Sequence, residues 1–202
     1  MVKKNSLENL SKKQLSDIST ELWNKRIENK SIEVADLLVR KKDHCNDVAE
    51  KSLKLLSTYS QILLGKDYNE KYIENLIYFS SLIHDIKRDK RKHHIKGAQF
   101  IKGEKQKKII MLTEDDIANI AIIIESHNSG TDISMVNKNK VISARVMAGS
   151  ILIIRLADKL AKTKNIKEHI QKCRTESKQL INKYNIKIDA LIEKEVFGRR
   201  EL

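Results

Sequence analysis

Residues 73–88 read IENLIYFSSLIHDIKR. Ile73, Leu76, Ile77, Phe79 and Leu82 recur at helical spacing and give the segment a wide apolar face. The spacing predicts a helix over 69–86 that carries His84 and Asp85 at its end. The same reading extends outward in both directions. Leu7, Leu10, Leu15, Ile18, Leu22 and Ile27 mark a first helix, and Ile32–Val39 a short second one. Asp43–Leu64 follows, with Val48, Ala49, Leu53, Leu55 and Leu56 as apolar positions and Gly65 as its stop.

Beyond the central segment, KRDKRK at 87–92 reads as a loop or frayed helix end. His93–Ile101 reads as a short helix, and KGEKQKK at 102–108 as a polar run. Thr113-Glu-Asp-Asp116 resembles a capping box that opens a helix to about Ser126. Asn128–Asn139, rich in Ser, Gly, Asp and Asn, reads as a loop. Lys140 to about Lys164 is a long apolar helix expected at the centre of the core, and 166–202 reads as one or two charged helices. No strand and no internal repeat is evident, so the fold class is all-α. The chain divides into an N-terminal helical extension (1–34), a core (35–165) and C-terminal helices (166–202), all within one domain.

Composition agrees. The 202 residues include no Pro, 6 Gly and only 4% aromatics, which leaves too few turn residues for a sandwich or barrel. Charged residues make up 33% and hydrophobic residues 40%, a mixture that supports a folded core. Lys and Arg (40) outnumber Asp and Glu (27), a formal net charge of +13 that favours anionic partners. Lys, Ile and Asn are abundant throughout, which reads as a composition bias and weakens any case for nucleic acid. Cys45 and Cys173 form no zinc-like spacing and read as reduced thiols. The first residues lack the apolar region of a signal peptide, and no apolar stretch approaches the ~20 residues of a membrane span. The expectation is a soluble, cytoplasmic protein with no membrane partner.

Four histidines lie next to helix ends or polar loops, in order with two aspartates: His44, His84 with Asp85, His93, His127, and then Asp158 inside an apolar helix. Asp158 stands among Ile154, Leu156, Ala157 and Leu160. Burying a lone charge there costs several kcal/mol, so the carboxylate needs a cation. Imidazole and carboxylate suit Fe, Mn, Co, Ni or Zn, a divalent transition metal. His44, His84, Asp85 and Asp158 could hold one ion; adding His93 and His127 gives enough for two bridged by a carboxylate. Each residue also has a plain reading, such as capping for His44 or a surface ion pair of Asp158 with Arg155 or Lys162.

The segments DHCNDVAEKSLKLL, SSLIHDIKR, HHIKGAQFI, IAIIIESHNSG and ILIIRLADKLA resemble, in order and spacing, the HD-domain metal-dependent phosphohydrolase superfamily over roughly residues 40–165. The resemblance implies an HD-domain-like helical bundle with extra N- and C-terminal helices. It implies core metal ligands at His44, His84, Asp85 and Asp158, with further ligands at His93 and His127. His94 falls one residue out of register. Where many relatives read HDIGK, this chain reads HDIKR, with Lys87 for Gly and Arg88 at the lysine position. No GYP segment is present, so cyclic-di-GMP is not the expected substrate. HHIKGA and HNSG are similar to elements of enzymes that split diadenosine tetraphosphate. RLADKL is similar to the HD-like accessory domain of exopolyphosphatase/guanosine pentaphosphatase proteins, which is not their catalytic part.

The implied activity is hydrolysis of a nucleotide or related phosphoester or phosphoanhydride by metal-activated water, with Asp85 and Arg88 as catalytic residues. Two alternatives stand beside it: a catalytically silent HD-scaffold regulatory or nucleic-acid-binding module, and an HD-type nuclease. Lys87, Lys90, Arg91 and Lys92 read mainly as a solvated loop, with Arg88 the candidate phosphate contact. Glu125 and Asn128 are candidates to orient His127. His169 and Cys173 read as inert, and Trp23 as packing the first helix onto the body. Homodimerisation through the outer helices stays open.

Overall fold

A computed structural model describes residues 4–128, 133–137, 141–162 and 164–196 of the chain. The described residues are all-α: a 3-10 turn at Leu7–Asn9, then α1 (Lys12–Ile27), α2 (Ile32–Leu63), α3 (Glu70–Ile83), α4 (His93–Ile101), α5 (Glu104–Ile110) and α6 (Glu114–Ser126). The short α7 (Ile133–Val136) precedes α8 (Ala144–Leu160), α9 (Ile166–Glu176), α10 (Lys178–Lys183) and α11 (Asp189–Val196). The one β pairing among the described residues is an isolated bridge between Asn5 and Leu112.

Local chemistry explains where the helices begin. The Ser11 hydroxyl accepts from the Gln14 N–H while the Gln14 side chain accepts from the Ser11 N–H, so α1 starts at Lys12 rather than near Leu7. Thr113 caps α6 as expected, its hydroxyl accepting from the Asp116 N–H. Asn69 and Ser143 cap α3 and α8 in the same way. Gly65, at φ +93°, ends α2 in the left-handed region.

Besides the later start of α1, the expected 140–164 helix is shorter, Ala144–Leu160, and three further expectations change. The two separate pieces at 32–39 and 43–64 are one continuous α2 of 32 residues, because Arg40, Lys41 and Lys42 are good helix formers and no Gly or Pro interrupts them. The polar run at 102–108 contributes most of α5, whose lysines face out while Ile110 is buried. The C-terminal region holds three helical pieces among its described residues rather than one or two. Much of the expected 128–139 loop lies outside the described residues, as do positions 140, 163 and 197–202.

Two helices form the centre. α3 is buried almost throughout from Tyr72 to Ile83, and α8 from Val146 to Asp158. α2 packs along both, α1 and α6 flank α3, and α4 lies on α6. The α2–α8 approach depends on Gly149: a Cβ there would sit 2.3 Å from the Leu63 carbonyl oxygen.

The N-terminal segment is stitched into this core. The Trp23 indole N–H donates to the Leu82 carbonyl at 2.9 Å. Asn75 donates to the Leu7 and Leu10 carbonyls at 2.7 and 2.8 Å, and the Leu7 N–H donates to Asp116 at 3.2 Å. Arg26 pairs with Asp89, both side chains nearly fully buried, which pins the 84–92 turn to α1. No described helix is long and apolar enough to cross a membrane.

Candidate metal centre

Each residue of the constellation sits at a helix end or on a core helix. His44 lies in the middle of α2, His84 caps the C-terminus of α3, and Asp85 follows in the turn. His93 opens α4, His127 caps α6, and Asp158 stands in the last turn of α8. All six line up on one cavity or on its floor.

His84 and His127 are held by one device. The last carbonyls of a helix lack intrahelical partners. The Nδ1–H of His84 donates to Ser81 O at 2.8 Å, and that of His127 to Ile124 O at 2.6 Å, each three residues back. A carbonyl can only accept, so Nδ1 carries the proton and the Nε2 lone pair turns toward the cluster. The His84 Nε2 is fully buried with no hydrogen-bond partner among the described residues, and so is Asp85 Oδ1. Orphaned buried acceptors are costly and ask for a ligand.

Two groups have mutual ligand-atom distances within 4.8 Å: His44, His84 and Asp158, and His84, Asp85 and His127. A third follows from printed distances. His93 Nε2 lies 3.3 Å from Asp85 Oδ1 and 3.3 Å from His127 Nε2, while His127 Nε2 lies 3.6 Å from Asp85 Oδ1. His84 has one inward lone pair and can serve one ion. A two-ion arrangement therefore divides into His44, His84 and Asp158 on one side and His93 and His127 on the other, with Asp85 between them. Donors of this kind, imidazole and carboxylate without thiolate, fit a divalent transition metal.

Electrostatics keep the donors in ligating form. Burial pushes the His84 pKa down, and burial with His127 and Arg88 pushes His93 down to about 4, so both rings are neutral near pH 7. Burial opposes ionisation of Asp85, but in the acid range where it titrates the protonated forms of His84 and His127, with Arg88, overturn it and hold the carboxyl well below its usual range. Asp158 behaves alike, with His44, His84 and Lys159 outweighing burial. Burial raises the Cys45 thiol, whose Sγ sits 3.4 Å from His84 Nδ1 and stays protonated.

Several expectations are altered here. Asp158 does not pair with Arg155. Lys159 Nζ donates to its Oδ2 at 2.8 Å, and Lys162 lies at 3.8 Å. Arg155 is instead buried, donating to the Ser126 and Asn128 carbonyls and the Ser177 hydroxyl, so it braces the end of α6 that carries His127. Arg88 contacts His93 Nε2 at 2.8 Å and Asp85 Oδ1 at 3.7 Å, at the cavity edge. Lys87 leaves the cavity and sits 4.3 Å over the Phe100 ring; burial and the charge on Arg26 lower its pKa to about 8. Asn128 lines the cavity, whereas Glu125 does not; its charge acts on His94. Cys173 is buried in the core, as a free thiol like Cys45. His169 is not a bystander, because it lines the cavity with Lys172 and Glu176. Sequence spacing could have suggested Lys41, three residues before His44 on the same helix face; nothing in it pointed to His169.

The cavity has a volume of about 590 Å³ and is rimmed by lysine and arginine. No protein-family model, curated protein or solved structure matches the chain.

Proposed function

We propose that the protein is a metal-dependent phosphohydrolase of the HD type, acting on a phosphorylated small molecule such as a nucleotide. The observation that carries this reading is the pair of buried, unpartnered acceptors, His84 Nε2 and Asp85 Oδ1, at the floor of a cation-rimmed cavity. His44, His84, Asp85 and Asp158 would hold one ion, and Asp85, His93 and His127 a second. Ions of this class polarise phosphoryl oxygens and make water acidic enough to attack at neutral pH. The chain's own residues supply the rest. Ser81 and Ile124 carbonyls orient the two histidines, Lys159 holds one oxygen of Asp158, and Arg88 stands at the rim where phosphoryl charge would need a bidentate donor. Ser and Cys nucleophiles are not required, and the Cys45 thiol is held protonated.

The test is hydrolysis of a nucleotide panel by protein loaded with Mn²⁺, Fe²⁺ or Co²⁺. Wild type is expected to release phosphate from at least one nucleotide, and Asp85→Ala to lose both bound metal and turnover. A variant with unchanged metal content and rate would overturn the reading.

A further inference from the structure

Helix α9 lies outside the segments that carry the metal cluster, yet it forms a wall of the same cavity. His169, Lys172 and Glu176 follow i, i+3, i+7 spacing and share one face. The adjacent face, about 100° round the helix, is anchored: Ile170 and Cys173 are buried, and the Ser177 hydroxyl at the helix end receives Arg155 at 2.9 Å. This wall is fixed to α8, the helix that carries Asp158.

Of the sixteen described residues that line the cavity, eight are Lys or Arg and three are acidic. Two of those three, Asp85 and Asp158, belong to the cluster itself. Lys41, Arg91 and Lys92 pair with no carboxylate among the described residues. On α9 the one lining cation is Lys172, which lies 3.9 Å from Glu176 and stays largely exposed, so it is open to an anion and is no part of the cluster. The cavity is of the size that encloses a whole small ligand.

We infer that His169 and Lys172 form a second phosphate subsite, so that the molecule bound here carries a chain of phosphates rather than one. The inference takes its chemistry from the phosphohydrolase reading, but the subsite stands on the α9 wall alone. A small oligophosphate fits better than nucleic acid, because the site is a cavity and no Phe, Tyr or Trp among the described residues lines it for base stacking.

The experiment is calorimetric binding of inorganic tripolyphosphate and orthophosphate to protein loaded with Co²⁺. Wild type is expected to bind tripolyphosphate about tenfold more tightly, as one or two added charge-assisted contacts would give. The double variant His169→Ala, Lys172→Ala is expected to lose that margin while its orthophosphate affinity stays within about twofold. Lys105→Ala, on α5 and outside the cavity, is expected to change neither. Circular dichroism checks folding, and Lys172→Ala alone serves if the double variant is impaired. An equal loss in Lys105→Ala, no loss in the α9 variants, or tighter binding of a single-stranded oligonucleotide through the same residues would each overturn the subsite. Tripolyphosphate binding as described, with no nucleotide hydrolysed under any metal, would remove the phosphohydrolase reading and keep the subsite. Equal kcat/KM for nucleoside mono- and triphosphates would do the reverse.

Discussion

His44 Nε2 lies 3.0 Å from Asp158 Oδ1, although 114 positions separate the two residues. The other oxygen of the same carboxylate is taken by Lys159 at 2.8 Å. Asp158 thus has one oxygen committed to the protein and one facing the cluster. Lys159→Met should free the carboxylate to rotate and weaken metal binding by about tenfold, the usual scale for losing an outer-shell partner. Lys159→Arg should recover most of it. Titration of stripped protein with Co²⁺, followed by visible absorption, reads the difference.

The single inward lone pair of His84 makes a distinct prediction about stoichiometry. His84→Ala should remove the ion shared with His44 and Asp158, and His127→Ala the ion shared with His93. Asp85→Ala should remove both. Elemental analysis of anaerobically purified protein would give about half the wild-type metal for each histidine variant and almost none for the aspartate variant. Equal losses in all three would mean a single ion.

The Arg26–Asp89 pair sets a pH dependence. Burial would raise Asp89, but the hydrogen bond and charge of Arg26 overturn it and keep its pKa below the ordinary 3.8. A depressed carboxylate contributes stability that is fully present above its unfolded value and is lost as pH falls through the folded one. Denaturant midpoints should therefore hold from neutral pH down to about 4 and drop below it. Asp89→Asn should remove part of that acid-side slope and cost about 3 kcal/mol at pH 7, because Arg26 is left buried without its counter-charge.

Gly149→Ala tests the α2–α8 contact. Its new methyl group would meet backbone atoms of Leu63, which cannot swing away as a side chain can. A loss of about 3 kcal/mol is expected, at the upper end for overpacking, with a matching fall in Tm. Thermal unfolding followed by circular dichroism would measure it. A melting temperature equal to wild type would mean the two helices can separate without penalty.

Much of the architecture was legible because its signals are local. Asn69 and Thr113 cap helices through neighbours three residues away, and Gly65 ends α2 by its own conformation; Ser11 and Ser143 cap in the same way, yet a reading that runs the helices from Leu7 and Lys140 passes over them. The cluster was legible for a related reason: His84 and His127 occupy helix ends, and Asp158 stood conspicuously among apolar residues. The partners of those groups were not. Whether Asp158 turns to Lys159 or Arg155 depends on where Ser126, Asn128 and Ser177 offer acceptors, and those arrive from distant elements. His169 became visible only once burial of Ile170 and Cys173 decided which way α9 faces. The unbroken α2 was missed because a charged stretch, Arg40 to Asp43, resembles a linker when its neighbours in space are unknown.

The hydrogen bonds that Asn75, Asp116 and Leu82 make to Leu7, Leu10 and Trp23 bear on how the molecule could be trimmed. Cutting the chain ahead of α2 would strip donors and acceptors from three buried positions and leave Asp89 without its guanidinium. The opening helices are thus a keel under the cation-lined turn at 84–92, and a fragment beginning at residue 35 would not be portable.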